Sequence, residues 1–144
     1  MRTGILGDIL LSVTHPKPEY DMPPMSTKLR HSGGVAVLEV DGKLKMGESV
    51  DQFRVQWSEA INGGAKVLVI LMDRVPMIDS SGVGSLMRCY SSLKAVGGRV
   101  KVVAASEVVR QTLGITHLDK MFDFYDDEPA ALASILSIPT VPMP

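Results

Sequence analysis

One cysteine, Cys89, is all the thiol this chain has. That excludes an intramolecular disulfide and fits a reducing compartment. Histidine is nearly as scarce. His15, His31 and His117 lie far apart, which excludes the spacing of a zinc site. Net charge is small too: 15 basic and 16 acidic residues leave −1. No basic stripe offers itself to nucleic acid. No apolar run approaches the roughly 20 residues that span a bilayer. The apolar stretch Ile5 to Val13 (ILGDILLSV) is interrupted by Asp8. It has only Arg2 ahead of it and no small-residue cleavage site, so it does not read as a signal peptide.

What is present is ordinary globular material. The 144 residues are 45% hydrophobic and 22% charged, enough for one domain whose core needs no disulfide or metal. Residues 1–32 read as an N-terminal arm and linker, because Thr14 to Pro24 is too rich in proline for a helix. Two readings stand for residues 1–24. One is an added arm, weakly ordered; the other is a chain whose translation starts at Met25. The folded domain spans 33–138, and 139–144 is a proline-rich tail expected to fray.

Strands and helices alternate along the domain. Val35 to Val40 reads as a strand, and Asp41-Gly42 as a hairpin turn leading to a short return strand over Lys43 to Met46. Val50, Phe53, Trp57 and Ile61 recur at helical spacing up to the stop at Asn62-Gly63-Gly64. Val67 to Met72 is apolar without alternation, which marks a strand buried on both faces of a parallel sheet. A helix from Ser80 carries Val83, Leu86, Met87, Tyr90 and Leu93 as its apolar stripe and ends at Gly97-Gly98. Arg99 to Ala105 is the next strand. Glu107 to Leu113 is a short helix, His117 to Met121 a helical turn, and Phe122 to Tyr125 a last strand. The final helix starts at Asp127-Glu128-Pro129 and buries Leu132, Ile135 and Leu136. The pattern is α/β: one domain with a mixed, mostly parallel sheet packed with helices.

The chemistry concentrates where the apolar strand runs through Asp73 into Ile78-Asp79-Ser80-Ser81-Gly82. The turn delivers two hydroxyls to the first turn of a helix. Backbone N–H groups there are unpaired and carry partial positive charge. A serine at such a place is a good cap. It is also a place where phosphate charge is favoured.

The order of elements and this turn resemble the STAS domain, the fold shared by bacterial anti-sigma factor antagonists and sulfate transporter tails. The matched parts run over roughly residues 33 to 137. They are the opening strand with Asp41-Gly42-Lys43-Leu44, the apolar strand with Asp73 near its end, and Ile78-Asp79-Ser80-Ser81-Gly82-Val83-Gly84 followed by Leu86. Further along come Gly97-Gly98-Arg99-Val100, Leu113-Gly114-Ile115, Phe122 and an alanine-rich last helix. The resemblance implies a cytoplasmic, non-enzymatic binding switch with no cofactor, no metal and no membrane insertion. Ser80 is then the phosphoacceptor for an anti-sigma factor with serine kinase activity, and a phosphatase acting on Ser80 resets the cycle. Unphosphorylated, the chain sequesters the kinase and frees a sigma factor. Ser81 is expected as neighbour and helix cap, with Asp79 and Gly82 shaping the turn. The partner surface is expected to comprise Asp79, Ser81, Gly82 and Val83, with Gly42, Lys43 and Lys45 from the adjoining hairpin.

Charge arithmetic fits such a switch. A phosphate adds about −1.5 to −2 charges. Burying that charge unpaired under a partner costs several kcal/mol as an order of magnitude, about 100-fold or more in affinity. One position departs from the family: many members carry an aspartate where this chain has Lys45. The simplest alternative is therefore constitutive binding. A related alternative is a STAS accessory subunit docking on a membrane transporter ATPase, without a phospho-cycle. Rival site chemistries are weaker. Asp126-Asp127-Glu128 lacks the glycine and spacing of a calcium loop and fits helix N-terminal charge pairing. Asp73 and Asp79 have no histidine partner in sight for acid–base work. Cys89 reads as an inert buried thiol.

Overall fold

The computed structural model describes residues 25–103 and 105–137. The expectations for 1–24 and for the tail lie outside the described residues, as do Ala104 and the Leu136 side chain.

Among the described residues five strands form one sheet in the order β1-β2-β3-β4-β5. They are β1 (Ser26–Ser32), β2 (Val35–Asp41), β3 (Val67–Arg74), β4 (Arg99–Val103) and β5 (Asp123–Tyr125). Only β1 runs antiparallel, paired with β2 from Ser26↔Asp41 to Ser32↔Val35. The other pairings are parallel. Among the described residues four helices connect or close the strands: α1 (Glu48–Asn62), α2 (Ser80–Ala95), α3 (Glu107–Ile115) and α4 (Glu128–Ser137), with a 3-10 turn over Leu118–Lys120. The mixed, mostly parallel α/β sheet expected from the alternation is the sheet observed.

The hairpin is not where the sequence placed it. It joins β1 to β2 through Gly33-Gly34, with Gly33 in the left-handed region at φ 63°. Strand β1 thus falls inside the stretch assigned to the linker. Its sequence, STKLRHS, is almost wholly polar and exposed. A polar edge strand carries no alternating apolar signal, which is why it escapes detection. Asp41-Gly42 is instead a bend, after which the chain continues parallel to the segment that follows β3. Lys43 to Met46 forms no strand; it contributes one parallel bridge, Leu44↔Ile78.

The two faces of the sheet are covered unequally. On one, α1, α2 and α3 bury Phe53, Trp57, Leu86, Cys89, Leu93 and Leu113 against Leu38, Leu68, Ile70 and Val102. On the other, among the described residues, only α4 lays side chains, Ala131, Leu132 and Ile135, over Val37, Val69 and Val103. Strand β3 contributes to both, so its unbroken apolar run follows from burial on two faces. Val50 and Ile61 pack at the margin of the larger core, with Tyr90 and Phe124. The expected α2 stripe needs one correction. Met87 is 41% exposed, and the buried line passes through Ser85 and Cys89. Ser85 is admitted because its hydroxyl accepts a hydrogen bond from the Trp57 indole N–H at 3.2 Å. The Asp-Asp-Glu cluster divides three ways. Asp127 accepts from the Ala130 N–H at 2.8 Å at the start of α4, Glu128 pairs with Arg30 at 3.2 Å, and Asp126 lies 3.9 Å from Arg110.

Candidate functional site

The site forms where β3 ends and α2 begins. After Arg74 the chain runs alongside the segment that follows β2, and the two are laced by backbone bonds. Gly42 N–H donates to Arg74 O at 2.9 Å, Leu44 N–H to Met77 O at 3.1 Å, and Asp79 N–H to Leu44 O at 3.2 Å. Gly42 permits this at φ 124°, with Met25 so close behind it that a Cβ would stand 2.8 Å from the Met25 Cα. The ladder ends at Leu44. Beyond it the fastenings are side chains. Ser49 Oγ accepts from Lys45 N–H at 3.0 Å and donates to Lys45 O at 2.7 Å. Asp79 Oδ2 accepts from Met46 N–H at 2.9 Å.

Asp79 has a second task. Its Oδ1 accepts from Gly82 N–H at 2.9 Å, and its backbone is extended, so it is the N-cap of α2. This corrects the expectation that a serine caps the helix. The Asp79-to-Gly82 spacing is that of an N-cap and the third helical residue, a signal present in the sequence. With the cap supplied by Asp79, Ser80 is the first residue of α2. It is exposed, and its hydroxyl has no hydrogen-bond partner among the described residues. Ser81 is half-buried beside it.

Charge at this corner follows from its geometry. Partial burial pushes the Asp79 carboxyl up. The backbone hydrogen bonds it accepts, from Met46 first and then Gly82 and Ser81, outweigh that and hold it below its ordinary value. A stable carboxylate therefore sits next to the Ser80 hydroxyl. Lys45 is exposed and Lys43 half-buried on the facing segment.

The structure brings most of the expected surface together and buries two members of it, Gly82 and Val83. Asp79, Ser80, Ser81, Gly42, Lys43 and Lys45 share this corner. Val83 is only 6% exposed and faces the core, so it supports the turn from beneath and presents nothing to a visitor. Gly82 is buried as well. A Cβ there would lie 2.6 Å from the Leu44 carbonyl oxygen and 2.7 Å from Ile78 Cγ1. Two residues went unnoticed in the sequence. Ser49 builds the Lys45 turn, and Met46 stands 73% exposed beside Asp79. No motif points to Met46; an exposed methionine in a polar loop is visible only once the loop is placed.

Among the described residues no group of three or more His, Cys, Asp or Glu could hold a metal ion. Nor is any described helix long and apolar enough to cross a membrane.

Fold and corner together define a small α/β domain with a hydroxyl-bearing helix start beside a fastened loop. Within that class the chain belongs to the STAS domain family, whose model it matches over residues 26–131. An anti-sigma F factor antagonist of Paenibacillus polymyxa is 28% identical over 112 residues, covering 77% of this chain and 95% of that protein. Among solved structures, the Bacillus anti-sigma factor antagonist SpoIIAA in its unphosphorylated form superposes with a TM-score of 0.69 at 25% identity, covering 78% of this chain and 98% of SpoIIAA. An anti-sigma factor antagonist from Mycobacterium paratuberculosis gives 0.71 at 25% identity, covering 79% and 96%.

Proposed function

We propose that this chain is an anti-sigma factor antagonist, a cytoplasmic binding protein and not an enzyme, switched by phosphorylation of Ser80. Its partner is an anti-sigma factor that is also a serine kinase, and a separate phosphatase removes the phosphate. The relatives named as antagonists support the class.

The observation that carries the phospho-switch is the division of labour at the start of α2. Asp79 caps the helix, so the Ser80 hydroxyl is exposed and uncommitted. A phosphate there meets the positive end of the helix dipole, so the domain itself tolerates it. The cost falls on a partner packed over the corner, where the new charge stands beside the Asp79 carboxylate. Burial of that charge without a counter-ion costs several kcal/mol as an order of magnitude, enough to dissociate a complex.

The test is incubation with ATP and a cognate anti-sigma factor kinase, followed by intact mass. A gain of one phosphate that Ser80→Ala abolishes is expected. No gain, together with recovery of a transporter ATPase in a pull-down, replaces this reading with the docking subunit.

A further inference from the structure

We infer that Asp79 is a positioning residue that fastens the tip of the Gly42–Gly47 loop to the start of α2, so that the Met46 side chain and the Ser80 hydroxyl are presented as one preformed surface. The significance of that surface for a partner rests on the function proposed above; the fastening itself does not.

Three observations carry it. First, the backbone ladder between the two segments stops at Leu44, and the Met46 N–H is held by the Asp79 carboxylate alone, at 2.9 Å. Second, the same carboxylate spends its other oxygen on Gly82 N–H inside α2, also at 2.9 Å. One rigid group therefore joins a loop to a helix, and a carboxylate is the side chain that can accept from both at once. Third, what the fastening presents is unusual for a loop tip. Met46 is 73% exposed, among the most exposed large apolar side chains described, and it stands next to the residue that precedes Ser80. A flexible thioether side chain on a fixed backbone is an adaptable apolar contact. Holding its backbone in advance lowers the ordering cost of binding. The complementary surface is then an apolar recess adjoining the group that reaches Ser80.

Asparagine separates the two tasks. It remains among the best N-caps, so Asp79→Asn keeps the Gly82 bond through its oxygen, while an amide nitrogen, a donor that cannot accept, takes the place of the oxygen facing Met46 N–H. Alanine loses both. The experiment is amide hydrogen exchange by NMR on the full chain, with no partner present. In Asp79→Asn, exchange at Met46 is expected to rise by about tenfold or more, as befits loss of a bond to a charged acceptor. Amides inside α2 and the melting temperature are expected to stay near those of the parent. In Asp79→Ala both change. In the parent, the Met46 amide shift is expected to titrate with a carboxyl whose midpoint lies below the ordinary aspartate range. Unchanged Met46 exchange in Asp79→Asn overturns the inference, as does acceleration spread evenly through α2, or a Met46 amide insensitive to acid. Failure of Ser80 to take up phosphate would leave these readouts where they are, so the two ideas fail separately.

Discussion

The Cβ that Gly82 lacks would stand 2.6 Å from the carbonyl oxygen of Leu44. That oxygen also receives the Asp79 N–H, so neither side can retreat without opening the corner. Gly82→Ala is therefore expected to destabilise the domain by about 1–3 kcal/mol, the usual cost of overpacking. Chemical denaturation checks it. Gly84→Ala, on the same helix with open space where its Cβ would go, serves as the control and should be neutral or better.

Trp57 and Ser85 link α1 to α2 inside the larger core. Ser85→Ala leaves a buried indole N–H without a partner, at a cost of about 1–3 kcal/mol. Adding Trp57→Phe removes the orphaned donor, so the double variant should lose less than the sum of the two single losses. Thermal melts of the four proteins form the cycle.

Ser80→Asp adds charge at an exposed helix start and should leave the melting temperature near the parent's, because an anion there is tolerated or mildly favoured. On the proposed function, binding to the anti-sigma factor partner should fall by about 100-fold. Titration calorimetry reads both the parent and the variant.

Acid should reveal Asp79. Its carboxyl is held below its ordinary value in the folded state, so its contribution is fully present above the unfolded pKa of about 4 and is lost as pH falls through the lower folded value. The stability gap between the parent and Asp79→Ala should accordingly be flat from neutral pH down to about 5 and close below it. Denaturation midpoints at stepped pH give the curve.

Lys101 is 1% exposed, its Nζ 3.3 Å from the Asp123 carboxylate and 3.1 Å from the Tyr125 hydroxyl. Asp123 is itself half exposed and keeps its water if the lysine goes. Lys101→Met should therefore be near neutral, or up to about 2 kcal/mol stabilising. Lys101→Ala leaves a void beneath α4 and should cost about 2 kcal/mol or more.

How far the sequence could be read depended on which force set each element. Helices α1 and α2 and strand β3 announce themselves because burial wrote their periodicities: Phe53 and Trp57 at helical spacing, Leu68 to Ile70 without interruption. Strand β1 is held by backbone pairing at an exposed edge, and pairing leaves no mark on residue type. The segment after Gly42 was misread for the opposite reason. Asp41-Gly42 carries a turn signal, but the chain only bends there and runs on in parallel beside the segment after β3, more than thirty residues on, without returning along the strand before it. At the corner, the serines drew the eye as caps, while the residue in front of them had both the right chemistry and the right spacing. Met46 was invisible because exposure is a property of placement.

The unequal cover of the sheet has its own consequence. Helix α4 rests on a small apolar patch, with a surface ion pair between Glu128 and Arg30 at its first turn, whereas α1 and α2 brace one another through Trp57 and Ser85. Thermal fluctuations should then lift α4 away long before they reach the layer that bears Ser80. The domain is in that sense a latch with a loose back panel: it can breathe on one side while the corner at the start of α2 stays in register.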